Sequence, residues 1–470
     1  MEEVFLVIDT GSSSMRGILF DIYGDILFKY QIHYQMVLEG IKATQNVDDF
    51  SCALKQIVKK CVLYEKNSNV EIKSICFTSQ RSSLVVLDEK NETFIPAIMW
   101  YDKRSSKISE EINKTYGKNL IRVSGILTDP VLLAPKIKYF QENYEEADKA
   151  AHYMSIQDYL IWITSGEFVT DQTLGSRTGI MDIQKKEWSD ELLQIYRIDR
   201  KKLCKIVPCG SVVGIVSESF FIETGLKAGI PVITAGGDQQ CSVVGQMLNR
   251  EKEIALTLGS GGYASMVVSD IPKIEPERHA FVVASTWENK YNIEIGVGKV
   301  GTLFNWCIRQ YPELHGKPEK FLKLASESSP RGDGIKFEYE WLEHCMLNDM
   351  SLVRANDTAD EIQALLECIM NKVSKSFFEL CECSGESKDI CVAGGMAKSD
   401  YVCQMLADMT CVPVRRCHEI ETTALGAWVQ SILALKEGME GQTIIEKYKK
   451  ENVYQNSDLF FPIRKETSIE

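Results

Sequence analysis

The chain has 470 residues, 44% hydrophobic and 25% charged, and a net charge of −13 at pH 7. It is too long for a single core and predicts two or three domains of ordinary globular composition. The acidic balance argues against nucleic acid or an anionic membrane as a partner, yet leaves room for a phosphorylated ligand, because backbone N–H groups and a metal can hold phosphate.

No run approaches the roughly 18 apolar residues of a membrane span. The start, Met1-Glu2-Glu3 leading straight into a strand, lacks the basic region of a signal peptide. Fifteen cysteines, several in apolar runs such as Ile75-Cys76-Phe77 and Ile390-Cys391-Val392, read as free thiols in a reducing compartment. Cys381-Glu382-Cys383 lacks zinc-site spacing. Together these predict a cytoplasmic protein with no membrane or nucleic-acid partner.

Along the chain, Val4 to Ile8 reads as a buried strand, Asp9-Thr10-Gly11-Ser12-Ser13-Ser14 as a turn, and Met15 to Phe20 and Ile26 to Tyr34 as further strands. Asp48 to Leu63 has helical spacing, and Ile72 to Thr78 is a strand ending in Ser79-Gln80-Arg81-Ser82-Ser83. Helical patterns follow at Ser105 to Tyr116, Pro135 to Asn143, Ser155 to Thr164 and Glu218 to Thr224. Pro208-Cys209-Gly210 and Gly214 mark a loop and turn. Ile230 to Ala235 is a strand, and Gly236-Gly237-Asp238-Gln239-Gln240 stands at its carboxyl end. The pattern then restarts. Ile254 to Leu258, Gly259-Ser260-Gly261-Gly262 and Tyr263 to Val268 repeat the opening strand–turn–strand unit, which suggests a duplicated domain. A strand at 291–296, a helix from Asp360 to Cys381, a strand from Asp389 to Ala393 running into Gly394-Gly395, and helices at Lys398 to Met409 and Thr422 to Leu435 complete the reading.

Four constellations carry chemistry. The turn Gly11 to Ser14 offers backbone N–H groups and hydroxyls that suit the β- and γ-phosphates of a nucleotide. Asp9 beside it can hold Mg²⁺ through water, and Arg16 can balance charge on a transferred group; the plain alternative is an ordinary hairpin turn. Gly259, Ser260 and Gly261 offer the same backbone donors. Gly394-Gly395 permits close approach of a flat group such as adenine, or serves as a strand-to-helix turn that needs glycine for its angles. Asp238, at a strand's carboxyl end, where open α/β sheets bind ligands, is either a helix cap or a general base for a substrate hydroxyl.

In their order along the chain these segments resemble the FGGY family of carbohydrate kinases, and its glycerol kinases most closely. The segments that carry the resemblance are Val7 to Arg16, Ser176-Arg177-Thr178 with Asp182 and Trp188, Gly237-Asp238-Gln239-Gln240 with Gly245-Gln246, Leu258 to Gly261, Ala393 to Asp400 and Glu421 to Ala427. The resemblance covers nearly the whole chain. It implies an α/β protein of two actin-like (ribonuclease-H-like) domains, 1–247 and 248–470, flanking a catalytic cleft. It implies transfer of the ATP γ-phosphate to a substrate hydroxyl with Mg²⁺, the metal held through water by Asp9 and Asp238. Asp238 would be the base, Gly11, Ser12, Ser13, Ser14 and Arg16 would hold phosphate, and Gly259, Ser260 and Gly261 would contact it from the second domain. Gly394, Gly395 and Ser399 would border adenine. Family analogy also implies a homodimer.

Substrate residues match less completely. Arg81, Trp100, Asp102, Asp238 and Gln239 fit the glycerol-kinase pattern. However, its Gln-Arg-Glu-Thr run is here Gln80-Arg81-Ser82-Ser83, and Val131 stands where it has a tyrosine. A carboxylate accepts from two hydroxyls at once with its two oxygens, and a serine cannot replace both. The expected acceptor is therefore a small polyol or sugar other than glycerol, with a xylulose- or ribulose-type ketose as the alternative. Arg81 without its acidic neighbour would also suit an anionic group. Between Pro330 and Met350 the family's Pro-Tyr-Trp stretch is missing and a loop is shortened. These departures keep open a non-catalytic member that only binds nucleotide, whereas an actin-like ATPase would have no need of a polyol-type site beside Asp238.

Overall fold

The computed structural model describes residues 1–246, 253–273, 280–328, 334–352, 358–385, 387, 389–417, 421–436, 438–454 and 458–463. Contacts divide the chain into two units. The first comprises Met1–Met247, Phe281–Asn292 and Glu421–Glu451, and the second Leu248–Ala280, Ile293–Ile420 and Asn452–Glu470.

The first unit is built on strands β1 (Glu2–Thr10), β2 (Ser14–Asp21), β3 (Ile26–His33), β4 (Val70–Ser79), β5 (Ser211–Ile215) and β6 (Pro231–Gly237), in the order β5-β6-β4-β1-β2-β3. The pairs β1–β4 and β4–β6 are parallel, and the others are antiparallel. Val4 to Ile8 are wholly buried, so both faces of the sheet are covered, as a central strand in parallel pairing requires. Helix α1 (Val47–Asn67) covers one face. Phe50, Leu54, Ile57 and Val58 form its buried stripe and share a core with Leu6 and Ile8. Asn46 caps this helix by accepting from Asp48 N, and Asp48 and Asp49 favour its electropositive end. Helix α2 (Asp238–Gly245) leaves the end of β6 without a loop.

In the second unit β7 (Ile254–Leu258), β8 (Gly262–Val268) and, after β9 (Ala280–Ala284) at the boundary between the units, β10 (Tyr291–Gly298), β11 (Ile390–Ala393), β12 (Val414–Arg416) and β13 (Asp458–Phe460) lie in the order β10-β8-β7-β11-β12-β13. The run β10-β8-β7-β11-β12 repeats β3-β2-β1-β4-β6, with β7–β8 antiparallel and β7–β11–β12 parallel. This is the structural counterpart of the repeated strand–turn–strand unit in the sequence. Around this sheet are α3 (Val300–Arg309), α4 (Thr358–Ser384) and α5 (Asp400–Thr410).

The chain then returns to the first unit as α6 (Thr422–Leu435), which covers the other face of its sheet. Ser74 and Cys76, two apart on β4, meet Ser431 Oγ at 3.0 Å and Ala427 O at 3.4 Å. Helices α2 and α6 cross backbone to backbone. A Cβ on Gly245 would stand 1.8 Å from Thr422 O, and one on Gly426 would stand 1.9 Å from Cys241 O. No side chain fits at that crossing, so Gly245 and Gly426 are packing glycines.

Some elements differ from the sequence reading. The stretch around Gly210 and Gly214, expected as a loop and turn, contains the edge strand β5; Gly210 turns the chain and Gly214 sits at a register shift opposite Val232. The helix expected at Ser105 to Tyr116 continues to Ser124, where Gly125 ends it at φ +78°. Helix α3 follows a strand with few polar markers and was not foreseen. Of the departure noted between Pro330 and Met350, residues 330–333 lie outside the described residues, and Tyr339–Leu347 is a helix. Among the described residues no helix is long and apolar enough to cross a membrane.

Candidate active site

The carboxyl ends of β1, β4 and β6 lie side by side, because Asp9 pairs with Thr78, Thr10 with Ser79, and Gly237 with Ser79. Ligands bind at such an edge in sheets of this kind. Three stretches expected to carry chemistry emerge here: Asp9 to Arg16, Gln80 to Ser83, and Asp238 with Gln239.

Asp9 is 2% exposed and lies opposite Arg16 across the β1–β2 ladder, so the two share a face. Arg16 Nη2 meets Asp9 Oδ2 at 2.6 Å and its Nη1 meets Glu421 Oε2 at 2.7 Å, while Lys29 on β3 holds the other oxygen of Glu421. Burial pushes the Asp9 carboxyl above its ordinary range, with Arg16 pulling against it. Both terminal nitrogens of Arg16 are thus on carboxylates, whereas the sequence suggested a guanidinium facing a transferred phosphate. Glu421, the bridge in this chain of charges, was not among the expected site residues. Its only signal in sequence was its place before Thr422-Thr423-Ala424, in a segment the family resemblance assigns to the adenosine side.

The Gly11–Ser14 turn is pinned on several sides. Gly11 N donates to Ser14 O at 2.9 Å, and Gly11 O accepts from the Tyr34 hydroxyl at 2.6 Å. Ser12 Oγ donates to Gln80 Oε1 at 3.2 Å and accepts from Trp100 Nε1 at 2.9 Å. Among the described residues the N–H groups of Ser12 and Ser13 meet no acceptor. They are the donors that the turn presents, next to a buried carboxylate.

At the end of β4, Arg81 runs its stem over Gly237. A Cβ there would stand 2.6 Å from Arg81 Cδ, so glycine is what lets the guanidinium reach Asp238, with Nε 3.6 Å from Oδ1. Ser82 has φ +66°, a left-handed conformation unusual for serine, and its hydroxyl donates to Arg177 O at 3.3 Å. Behind it lies a cavity of about 10 Å³, room for roughly one water, lined in part by Ser82, Leu133, Asp158, Arg177 and Thr178. Ser83 ties this turn to the next loop by accepting from Trp100 N at 3.1 Å. Trp100 is half-buried and stacks on Tyr101, with ring centres 3.6 Å apart.

Asp102 is placed differently from a substrate-facing carboxylate. It is 1% exposed, accepts from Ala43 N at 2.9 Å, and is gripped by Arg104, whose Nη2 lies 2.8 Å away. It anchors the loop that carries Trp100. Val131 sits in a turn whose Pro130, Val131 and Leu132 carbonyls accept from the buried Lys136 ammonium at 2.6, 2.6 and 3.1 Å.

Asp238 is the first residue of α2, and the N-cap is Gly237, so the expected alternative of an Asp238 cap is displaced by one residue. Its side chain is 27% exposed, and Oδ1 accepts from Gln239 N at 2.8 Å. Thr423 Oγ1 donates to Asp238 O at 3.4 Å and Thr422 meets Ser242 Oγ at 2.9 Å, so the start of α6 is fastened to the first turn of α2. Gln239 is half-buried beside it.

The second unit gathers the remaining expected residues. Gly259 N donates to Gly261 O at 3.1 Å, and Ser260 O accepts from Thr302 N at 3.0 Å. Gly301, at the start of α3, lies so close that a Cβ would stand 2.1 Å from Gly259 O. Gly394 has φ +102° and backs onto Leu258 at the end of β7; Gly395 follows it, exposed. Ser399 Oγ caps α5 by accepting from Val402 N at 3.4 Å. Gly259, Ser260, Gly261 and Gly394 therefore form one cluster, with Gly395 at its rim and the Ser399 hydroxyl engaged in its own helix.

Two family models match the chain: the N-terminal domain of the FGGY family of carbohydrate kinases over residues 4–245, and its C-terminal domain over residues 341–435. A gluconokinase of Bacillus subtilis (strain 168) is 27% identical over 92% of this chain and 88% of its own. A glycerol kinase of Thermococcus kodakarensis is 26% identical over 97% of this chain and 93% of its own. The solved structure of a xylulose kinase from Lactobacillus acidophilus superposes with a TM-score of 0.87 at 22% identity, covering 98% of this chain and 94% of that one. The chain belongs to the FGGY family of carbohydrate kinases, ATP-dependent phosphotransferases that act on sugars and polyols.

Proposed function

We propose that this kinase phosphorylates a small polyol or sugar other than glycerol, with Asp238 as the general base. The observation that carries this is the Asp238 carboxylate itself. It stands at the carboxyl end of β6, partly open to solvent, with the Arg81 guanidinium 3.6 Å from its Oδ1. A base must be within reach of the proton it takes, and a solvent-open carboxylate at this edge meets that condition. On this reading the acceptor hydroxyl gives its proton to Asp238, its oxygen forms the new bond to the γ-phosphorus, and the bond to the bridging oxygen breaks to release ADP. Alignment and charge stabilisation are what such a transfer asks of a protein.

The Gly11, Ser12, Ser13 and Ser14 turn holds phosphate through the Ser12 and Ser13 amides, and Gly259, Ser260, Gly261, Gly394 and Gly395 serve the nucleotide. The residues at the first edge also fit Mg²⁺, a hard cation that takes oxygen donors and keeps much of its water. Asp9 supplies a buried carboxylate fixed by Arg16, and Asp238 a second carboxylate on the same sheet edge. When bound, the ion neutralises charge on the phosphate oxygens. Arg81, Ser82, Trp100 and Gln239 border the acceptor, and Asp102 acts by holding the Trp100 loop.

Ser82 and the Val131 turn favour an acceptor larger than glycerol, or one bearing an anionic group for Arg81. The gluconokinase and xylulose kinase relatives keep an acidic sugar and a ketose on the panel. The test is acceptor-dependent ADP release from MgATP, using glycerol, four- to six-carbon polyols, ketoses and sugar acids, with Asp238→Asn beside the wild type. Turnover on one compound that is lost in the variant is expected. Turnover led by glycerol overturns the reading of Ser82 and Val131, and turnover that survives Asp238→Asn removes the base.

A further inference from the structure

We propose that Glu421 is a positioning residue for phosphoryl transfer, which locks Arg16 so that Asp9 is held in one orientation at the phosphate turn. The proposal rests on the reading of Asp9 as a phosphate-side carboxylate and extends it to a residue at the start of α6.

Asp9, Arg16 and Lys29 share one face of the first sheet. Asp9 lies opposite Arg16, and Lys29 lies opposite Ile18, two residues on from Arg16. The start of α6 brings Glu421 onto that face. A carboxylate at a helix N-terminus ordinarily serves as a cap, but the Glu421 side chain makes no capping hydrogen bond. One of its oxygens takes Arg16 Nη1 at 2.7 Å and the other is held by Lys29.

The consequence is mechanical. An arginine held only by Asp9 keeps rotational freedom about that one contact. With Nη2 on Asp9 at 2.6 Å and Nη1 on Glu421, the planar guanidinium is fixed at both ends. Asp9 in turn has one oxygen committed to Arg16, which sets the orientation of the carboxylate at the start of the turn. Glu421 is itself 8% exposed and carries a cation on each side, so it is a stiff support. The next two residues, Thr422 and Thr423, fasten α6 to the first turn of α2, which begins with Asp238. Asp9 and Asp238 are thereby referred to one support.

Glu421→Gln keeps the shape and removes the charge; Glu421→Asp keeps the charge and shortens the reach. Each is assayed for kcat, for acceptor KM, and for the affinity of MgATP and of metal-free ATP by calorimetry. Displacements of about an ångström cost on the order of a hundredfold in such reactions. The expected result is a kcat lowered roughly ten- to a hundredfold and MgATP binding weakened about tenfold. Acceptor KM should stay within about twofold and metal-free ATP binding should change less than MgATP binding. Glu421→Asp reports the same quantities should Glu421→Gln fail to fold. If either variant folds, melts lower, and keeps kcat and MgATP affinity within about twofold, Glu421 only stabilises the fold and the proposal is overturned. Asp9→Asn separates the two readings. Wild-type MgATP binding by Asp9→Asn removes the phosphate-side role of Asp9 and this proposal with it. Loss in Asp9→Asn with none in the Glu421 variants removes this proposal alone.

Discussion

The turn between β1 and β2 and the turn between β7 and β8 occupy equivalent places in two sheets of like strand order, yet they are made of different materials. The first is surrounded by side chains. A chain of charges runs beside it, from buried Asp9 through half-buried Arg16 and buried Glu421 to exposed Lys29, and Ser12 is bonded to Gln80 and Trp100. The second is mostly backbone against backbone, with Ser260 O taken by both the amide and the hydroxyl of Thr302 and Gly259 pressed on Gly301. Among the described residues, a repeated geometry has been given charge in one copy and uncharged contacts, from glycines and Thr302, in the other. Burying the Asp9 and Glu421 carboxylates brings a desolvation cost that hydrophobic packing would avoid, which fits a chemical use at the first turn. The neutral turn needs only shape, and its amide dipoles suffice for an anion.

The largest effect that tests this contrast is loss of catalysis. Asp9→Asn and Asp238→Asn should each lower kcat by about 10³-fold or more while folding normally, as judged by circular dichroism and steady-state ADP release. Variants near wild-type activity would mean that the first turn's charge is structural, and the contrast would collapse.

A second comparison sets glycine against glycine. An added Cβ at Gly301 meets Gly259 O at 2.1 Å, whereas at Gly11 the nearest atom, Ser14 O, is 3.4 Å away. Gly301→Ala should therefore destabilise by on the order of 2–4 kcal/mol in denaturant melts, and Gly11→Ala by less than about 1 kcal/mol. Equal losses would show that the first turn also depends on backbone approach.

The third concerns titratable groups, which support the first edge from below and are missing from the second turn's own residues. Burial raises the Asp158 carboxyl, behind Ser82, to about 7, with the Ser155 amide drawing it back down. The folded state thus holds this proton more firmly than the unfolded chain does. The associated stability is full below the ordinary carboxylate range near 3.8 and is lost as pH rises towards about 7. Between those limits urea melts should show stability falling by a few kcal/mol, roughly 1.4 kcal/mol per pH unit at most, and Asp158→Asn should flatten the slope. A slope unchanged in Asp158→Asn would place the titration elsewhere.

The smallest effect compares two serines. Ser12→Ala removes the acceptor for the Trp100 indole, worth about 1 kcal/mol, and should raise acceptor KM a few fold. Ser260 uses its carbonyl, not its hydroxyl, in the described contacts, so Ser260→Ala should leave nucleotide KM within about twofold. A larger effect at Ser260 would give the second turn side-chain chemistry after all.

Much of this was legible in the sequence, because it is local. Alternation and apolar runs marked β1, β2, β3, β4, β6, β7, β8 and β11, and the repeated strand–small turn–strand unit exposed the duplication that the two sheets display. The turn residues, Asp238 at a strand end and the glycines were visible for the same reason, since backbone geometry restricts which residues can stand there. Gln80, Arg81, Ser82 and Ser83 were noted together, but not the Gln80–Ser12–Trp100 bonds that join three loops.

What tertiary structure alone decided is which partner each group receives. Asp102, a candidate for the substrate, is taken by Arg104 and Ala43; Ser399 caps its helix; Arg16 faces two carboxylates. Glu421 lies 405 residues from Arg16 along the chain, and no local pattern encodes such a contact. The sequence by itself determined the strands, the turns and the residue types offered at each strand end, because sterics and hydrophobic period act within a few residues. The pairing of those groups was decided only when distant segments were brought onto one face, because hydrogen bonds and ion pairs depend on ångström-scale distances that spacing along a chain does not set.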